Sequence, residues 1–331
     1  IYETRLNRAV DAVDHYELVL ESSATHLRAQ EGLERLMANP GERQRVASIL
    51  YPIFESQGAW SELSKVMEVQ LEDLSDAASR AAHLVQIGEL SETRLRDDEL
   101  AFDAFARAVR EDAADGSARS DLARLASKLS RHRQRAELLE AGLSTVADDF
   151  VKTELLLELA ELWDVAEPEP EQAERIYTKL IEFEKDNPEI VLKASRSLER
   201  IHGEAGNHAA LARDLRRQLQ FEENHERRDE LFPKLASLLE FEIGDVDAAI
   251  DVHQERLEDD PSQADALSSL ERLYTSRERW EPLVQVLERR AELSDDEQEQ
   301  LDLCRRIAET YETRLGQTEE AIDSYREVLS R

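Results

Sequence analysis

Metal binding or proton transfer in this chain would have to come from its eight histidines, its one cysteine or its many carboxylates. The histidines (His15, His26, His83, His132, His202, His208, His225, His253) are scattered along the chain. His202 and His208 are nearest in sequence, yet they straddle the Gly203–Gly206 turn and so belong to different helices. Cys304 falls on an apolar face with Leu301 and Ala308, the place of a small buried core residue. A single cysteine forms neither an internal disulfide nor a thiolate cluster. Paired carboxylates such as Asp259–Asp260 and Asp295–Asp296 mark helix ends, where acidic side chains favour the N-terminal dipole of the helix that follows. No GxGxxG, phosphate-binding loop, HExxH or GxSxG occurs, and no loop alternates oxygen ligands with a Gly and a closing Glu. The reading is therefore of no catalytic residue, no metal and no cofactor.

The elements that would position any site are helical. Apolar residues make up 41% of the 331-residue chain and charged residues 35%, with only ten Gly and eight Pro. That is enough apolar side chain for a continuous core, without the composition of disorder. No run approaches the length of uninterrupted apolar sequence that crosses a bilayer. The formal charge of −32 repels nucleic acid and anionic membrane surfaces, whose affinities rest on Lys and Arg. Such acidity reads as a solvated surface, with a basic partner or a saline habitat as alternatives. The densest basic island, Arg119, Arg124, Lys128, Arg131, Arg133 and Arg135, lies largely at a turn and reads as solvated, a dock for an acidic partner being the alternative.

One pattern orders the whole chain. An aromatic or His recurs at Tyr16, Phe105, Tyr177, His253 and Tyr325, at intervals of 89, 72, 76 and 72 residues, each time behind an Ala (Ala12, Ala101, Ala173, Ala249, Ala321). The tetrapeptide Glu-Thr-Arg-Leu precedes three of these pairs, at 3–6, 92–95 and 312–315. A fixed long period of amphipathic segments is the signature of stacked helical hairpins. His202 and His253 occupy slots that are Tyr or Phe in sister repeats and are expected in the core. Trp60 and Trp280 share one slot and Trp163 fills another, all three read as core. Within 262–331 the helices 262–276, 279–294 and 296–315 carry apolar residues at helical spacing, and Gly316 marks a C-terminal stop. The first period holds an extra helix near 25–38. Pro52 is expected to kink its helix, and Pro233 to delay the start of the helix near 225–243.

Here the chain resembles the tetratricopeptide repeat family. Leu267, Leu270, Tyr274, Trp280, Leu283 and Leu287 fill the large apolar positions of one unit. Ile307, Ala308, Tyr311, Ala321 and Tyr325 match another if one residue is inserted between its helices. Gly88, Ala160, Ala236 and Ala308 fill the small position where helix A approaches its partner closely, and Pro261 the closing proline. Departures occur at Glu271, at Leu138, Leu211 and Leu283, and at Gly142. The resemblance implies an all-α, right-handed α-solenoid of about nineteen helices with almost no strand. It divides the chain into a partial unit (1–21), a first long period with the extra helix (22–112) and double-hairpin periods at 113–185, 186–259 and 260–331. Both ends fall within a repeat and show no polar capping helix, so a piece of a longer solenoid is expected.

The family binds partners on a concave groove lined by positions 2, 5, 9 and 12 of helix A. Carried over residue by residue, these give a basic stripe of Lys193, Arg196 and Arg200 with Gly203. Glu154, Leu157, Glu161 and Asp164 stand on one side of it and Glu230, Pro233, Ser237 and Glu240 on the other. A second mixed patch pairs Arg272 and Arg305 with Asp302, Glu309 and Glu312. Such cations either neutralise neighbouring helices, the favoured reading, or hold an acidic peptide or terminal carboxylate. The chain thus reads as a non-catalytic protein- or peptide-binding scaffold. Alternatives are a recruiting arm of an enzyme whose catalytic domain lies elsewhere, and head-to-tail self-association. No nucleic-acid partner and no membrane insertion are expected, and a cytoplasmic setting is favoured.

Overall fold

The computed structural model describes residues 8–330, with side chains to 326. Glu3–Leu6 lies outside the described residues, and nothing is stated of the Val328 side chain. Among the described residues there are eighteen α-helices and no strand. The chain forms two compact units, one ending at Ile176 and the other beginning at Tyr177. The boundary falls inside a helix.

The first unit holds α1 (Ala9–Ser22), α2 (Leu27–Leu36), α3 (Arg43–Gln57), α4 (Trp60–Leu71), α5 (Ala77–Leu90), α6 (Asp98–Glu111), α7 (Gly116–Leu129), α8 (His132–Leu143) and α9 (Asp149–Glu161). Helix α10 (Pro170–Phe183) carries the boundary. The second unit continues with α11 (Pro188–Glu204), α12 (His208–Phe221), α13 (His225–Ser237), α14 (Val246–Asp259), α15 (Ala264–Ser276), α16 (Trp280–Leu293), α17 (Glu297–Thr310) and α18 (Thr318–Ser330). Within each unit successive helices pack as antiparallel neighbours, because each buries a single apolar stripe that only a neighbouring helix can cover. In the second unit Leu235, Ala236, Ala249, Leu267, Leu270, Tyr274, Leu283 and Ile307 belong to one buried cluster. The extra helix is α2. It presents Gly32 to the ring of Tyr16, where an added Cβ would lie 2.5 Å from Cζ.

Local chemistry sets the helix starts. Asp97, Asp115 and Asp148 each accept backbone N–H bonds from the first turn that follows, as do Asn187, Asn207 and Asn224, satisfying donors that have no partner inside the helix. Asn224 so starts α13 at His225, and Pro233 sits inside the helix instead of delaying it. Pro52 likewise lies inside α3.

Four helices end in a π-helical turn: α5 (Ser91–Leu95), α9 (Leu162–Ala166), α13 (Leu238–Ile243) and α17 (Tyr311–Leu315). A π turn is an α turn widened by one residue, which is the single inserted residue the repeat alignment requires. Three of the four then reverse through one left-handed residue, Arg96, Gly244 or Gly316. The same device joins α3 to α4 at Gly58, α7 to α8 at Ser130, α11 to α12 at Gly206 and α15 to α16 at Glu278. At Glu278 (φ 55°) the Cβ opposes this conformation. Glu278→Gly is therefore expected to stabilise the second unit by about 0.5–1 kcal/mol, net of the extra freedom of the unfolded chain. A urea midpoint that stays put or falls would contradict this strain.

Candidate functional site

The five candidate groove residues all lie in the second unit and all are exposed: Lys193, Arg196 and Arg200 on α11, Arg272 on α15 and Arg305 on α17. Four of the five are ion-paired. Arg196 donates to Glu222 at 2.7 Å, Arg200 to Glu204 at 3.3 Å, and Arg305 lies 3.3 Å from Glu309. Arg272 grips both oxygens of Glu240, at 2.5 and 2.7 Å. That bidentate contact holds the Glu240 carboxyl below its ordinary range. Lys193 has no ion pair among the described residues.

Arg196 enters a cleft of about 270 Å³ with Glu199, Gln218, Glu222, Arg227, Glu230 and Lys234. Lys193, Arg200, Arg272 and Arg305 do not line it. Three cations (Arg196, Arg227, Lys234) meet three carboxylates (Glu199, Glu222, Glu230), so the cleft is balanced. Its centre is Glu199, which accepts from Lys234 and, at 2.7 Å, from the buried Gln218 amide. The groove positions did not point to Glu199 or Gln218. The available signal was Gln218 itself, a polar side chain on the apolar face of α12 beside Leu215 and Leu219.

The repeated tetrapeptide is a coupling device. In Glu92–Leu95 the glutamate reaches forward to the Arg124 guanidinium, contacting it through both oxygens, while Arg94 stacks on Trp60 at 4.9 Å from the ring centroid. In Glu312–Leu315 the glutamate accepts from the Tyr325 hydroxyl at 3.1 Å and Arg314 covers Trp280 at 4.8 Å. Trp60 and Trp280 are therefore half-buried, each with one face occupied from within the chain. Trp163 is buried.

The basic island of the first unit is solvated at Arg124, Lys128 and Arg133, whose side chains are about half exposed, but not at Arg119. Arg119 is buried and bonded to Glu154 (2.7 Å), Glu158 (2.9 Å) and the Ala113 carbonyl (2.8 Å). Lys128 meets Asp98 at 2.6 Å, Arg131 pairs with Glu99, Arg133 with Glu169, and Arg135 with Glu158 at 2.6 Å. In this island the abundant carboxylates supply partners from neighbouring helices. The histidine slots are core, as expected. His202 is buried with Nδ1 2.5 Å from Asp214, whose carboxyl burial pushes up against the opposing pull of His202 and Arg217. His253 is also buried. Among the described residues, no three His, Cys, Asp or Glu side chains converge as metal ligands, and no helix is long and apolar enough to cross a membrane.

Stacked antiparallel hairpins whose surface chemistry is paired charge define a helical-repeat protein. The model of the tetratricopeptide repeat family matches residues 266–301, from α15 through α16 into the first turn of α17. Each unit is a stack of antiparallel helical hairpins, and the match lies within the second. No curated protein matches the chain. Among solved structures it is similar to the C-terminal part of a TPR repeat-containing protein from Cytophaga hutchinsonii, at 13% identity over 77% of this chain and 98% of that one, TM-score 0.33. It is also similar to MamA from Desulfovibrio magneticus RS-1, at 16% identity over 54% of this chain and 93% of that one, TM-score 0.27. A third is YrrB, a TPR protein with an unusual peptide-binding site, at 19% identity over 61% of this chain and 98% of that one, TM-score 0.30.

Proposed function

We propose that the chain is a non-catalytic protein-interaction scaffold that holds an extended segment of a partner on the exposed faces of α11, α13 and α15. The observation that carries this reading is the cleft at Arg196. It has three cations and three carboxylates on a rigid helical frame, and each carboxylate is engaged by a cation, Glu222 by Arg196, Glu230 by Arg227 and Glu199 by Lys234. A partner carrying both signs of charge exchanges one-for-one with Arg196–Glu222 and Lys234–Glu199, so specificity comes from charge order more than from net attraction. The frame is preformed, which limits the entropy lost on binding.

The test is Arg196→Glu with Arg200→Glu. Both side chains are about half exposed, so their loss is expected to change stability by less than about 1 kcal/mol. Proteins captured from native lysate by the unmodified chain are expected to be depleted on the double variant, while far-UV circular dichroism and melting stay the same. An unchanged set of captured proteins removes the groove assignment.

A further inference from the structure

A cleft of about 580 Å³ in the first unit runs between the end of α2, the start of α3, α4 and the facing sides of α5 and α6. Its rim carries Arg43, Lys65, Arg80 and Arg107 against only Glu68 and Glu72, an excess of positive charge on a chain whose net charge is −32. The four other clefts described are balanced or negative. Its floor is apolar, with Val69 and Leu71 buried and Met37 half-buried.

The four cations differ in how far they are already committed. Arg80 caps α4, donating to the carbonyls of Leu71 (3.1 Å) and Leu74 (3.4 Å) and to Glu111 (2.9 Å). Two long periods later Arg228 makes the same set to Leu219, Glu222 and Asp259, so Arg80 belongs to the frame. Arg107 grips Glu68 at 2.6 and 2.9 Å, and Arg43 donates to Glu72 at 2.8 Å. Arg43 Nε is buried and has no hydrogen-bond partner among the described residues. Lys65 is exposed and has no ion pair or hydrogen bond among the described residues.

The repeat shows that this charge is not demanded by the fold. The register mates of Glu68 and Arg107 are Arg216 and Glu255, which pair at 2.5 Å with the polarity reversed. The frame thus accepts either sign on this rim, and the first unit places the cation on α6 beside an unpaired lysine. The cleft also lies away from groove positions 2, 5, 9 and 12 of helix α5, which are Ala82, Val85, Glu89 and Glu92.

We infer that this cleft is a docking site for a short acidic peptide segment of a partner protein, one or two carboxylates beside an aliphatic side chain. The aliphatic group lies on Val69, Leu71 and Met37; the carboxylate meets Lys65 and the outer edges of Arg43 and Arg107. Long polyanions are disfavoured, because beyond a Debye length of about 8–10 Å the field of the acidic chain repels them. A short segment inside the cleft senses the local cations first.

The test is fluorescence anisotropy on the full chain with a dye-labelled peptide alternating aspartate and leucine. Its asparagine counterpart and a single-stranded oligonucleotide serve as competing probes. The aspartate peptide is expected to bind, and to weaken roughly fivefold or more on losing its charge, on rising salt and on Lys65→Glu. Lys65 is exposed and makes no hydrogen bond or close ion pair among the described residues, its charge acting only at longer range on Glu34. Circular dichroism is therefore expected to be unchanged in that variant and melting to shift only slightly. Lys193→Glu, on the second unit, is expected to leave affinity as it was. The inference is overturned if the two peptides bind alike, if Lys65→Glu has no effect, if Lys193→Glu weakens binding as much, or if the oligonucleotide binds more tightly. Only the Lys193 outcome would transfer the site to the stripe on α11, so this inference and the groove reading fail separately.

Discussion

Truncating Phe105 to alanine is expected to cost the first unit about 3–5 kcal/mol, the largest single effect we expect in this protein. The ring is fully buried, and it lies directly over Gly88 in the neighbouring helix. A Cβ on Gly88 would sit 2.6 Å from the ring Cε1 and 2.8 Å from Cζ. Gly88→Ala therefore brings two opposed terms. Alanine gains about 1 kcal/mol of helix propensity, while overpacking an enclosed ring costs about 1–3 kcal/mol. The ring has no exposed side toward which to move, so the clash is expected to win by about 1 kcal/mol. The two changes should not add. In Gly88→Ala/Phe105→Ala the new methyl enters the void the ring leaves, and the double variant should be more stable than the sum of the single losses predicts by at least about 1 kcal/mol. Urea unfolding of the four proteins by circular dichroism measures this cycle. Strict additivity would mean that the close approach of Gly88 to Phe105 is not what fixes the hairpin.

The same pair shows what was legible in the sequence. That Phe105 occupies an aromatic position follows from periodicity, since the repeat supplies several copies of that slot, while the small position of Gly88 follows from the resemblance to the tetratricopeptide pattern. The extra helix α2 was legible as surplus length, and the π turns as a one-residue misfit between matching apolar frames. The left-handed residues were only half legible: Gly58, Gly206 and Gly316 are visible as punctuation, but Arg96, Ser130 and Glu278 adopt the same backbone without the residue that announces it. Charge pairing was the least legible layer. Arg107 selects Glu68 and Arg272 selects Glu240 from 74 acidic residues, and nothing in a single helix says which neighbour's carboxylate will face it. For that reason the ion pairs that tie the island around Arg119 to neighbouring helices, and the burial of Arg119 among them, were not legible in it. The cationic cleft was missed because its charged rim is drawn from four helices.

His253 is the register mate of Phe105, and acid is expected to distinguish the two slots. Its imidazole is buried, with Nδ1 bonded to nothing among the described residues. Burial pushes its pKa down to about 4. Arg256 and Arg272 add to the fall and Glu240 opposes it. In the unfolded chain the ring titrates near 6.5. As pH falls below 6.5 the unfolded state takes up the proton first, so stability declines until the folded ring also titrates, near 4. Above 6.5 the ring is neutral in both states and contributes no slope. At about 1.4 kcal/mol per pH unit, the window corresponds to about 3 kcal/mol of stability lost in acid. His253→Phe removes the titration and fills the slot as Phe105 does. The variant should match or exceed the unmodified protein at neutral pH by up to about 1 kcal/mol, having lost an unsatisfied buried nitrogen. Carboxylates titrate alike in both proteins, so the readout is the difference between their urea midpoints at pH 7 and near pH 4. A gap that widens on acidification places a buried neutral imidazole in the slot. Parallel curves would mean that the ring reaches solvent when protonated, and that this slot, unlike that of Phe105, is not closed.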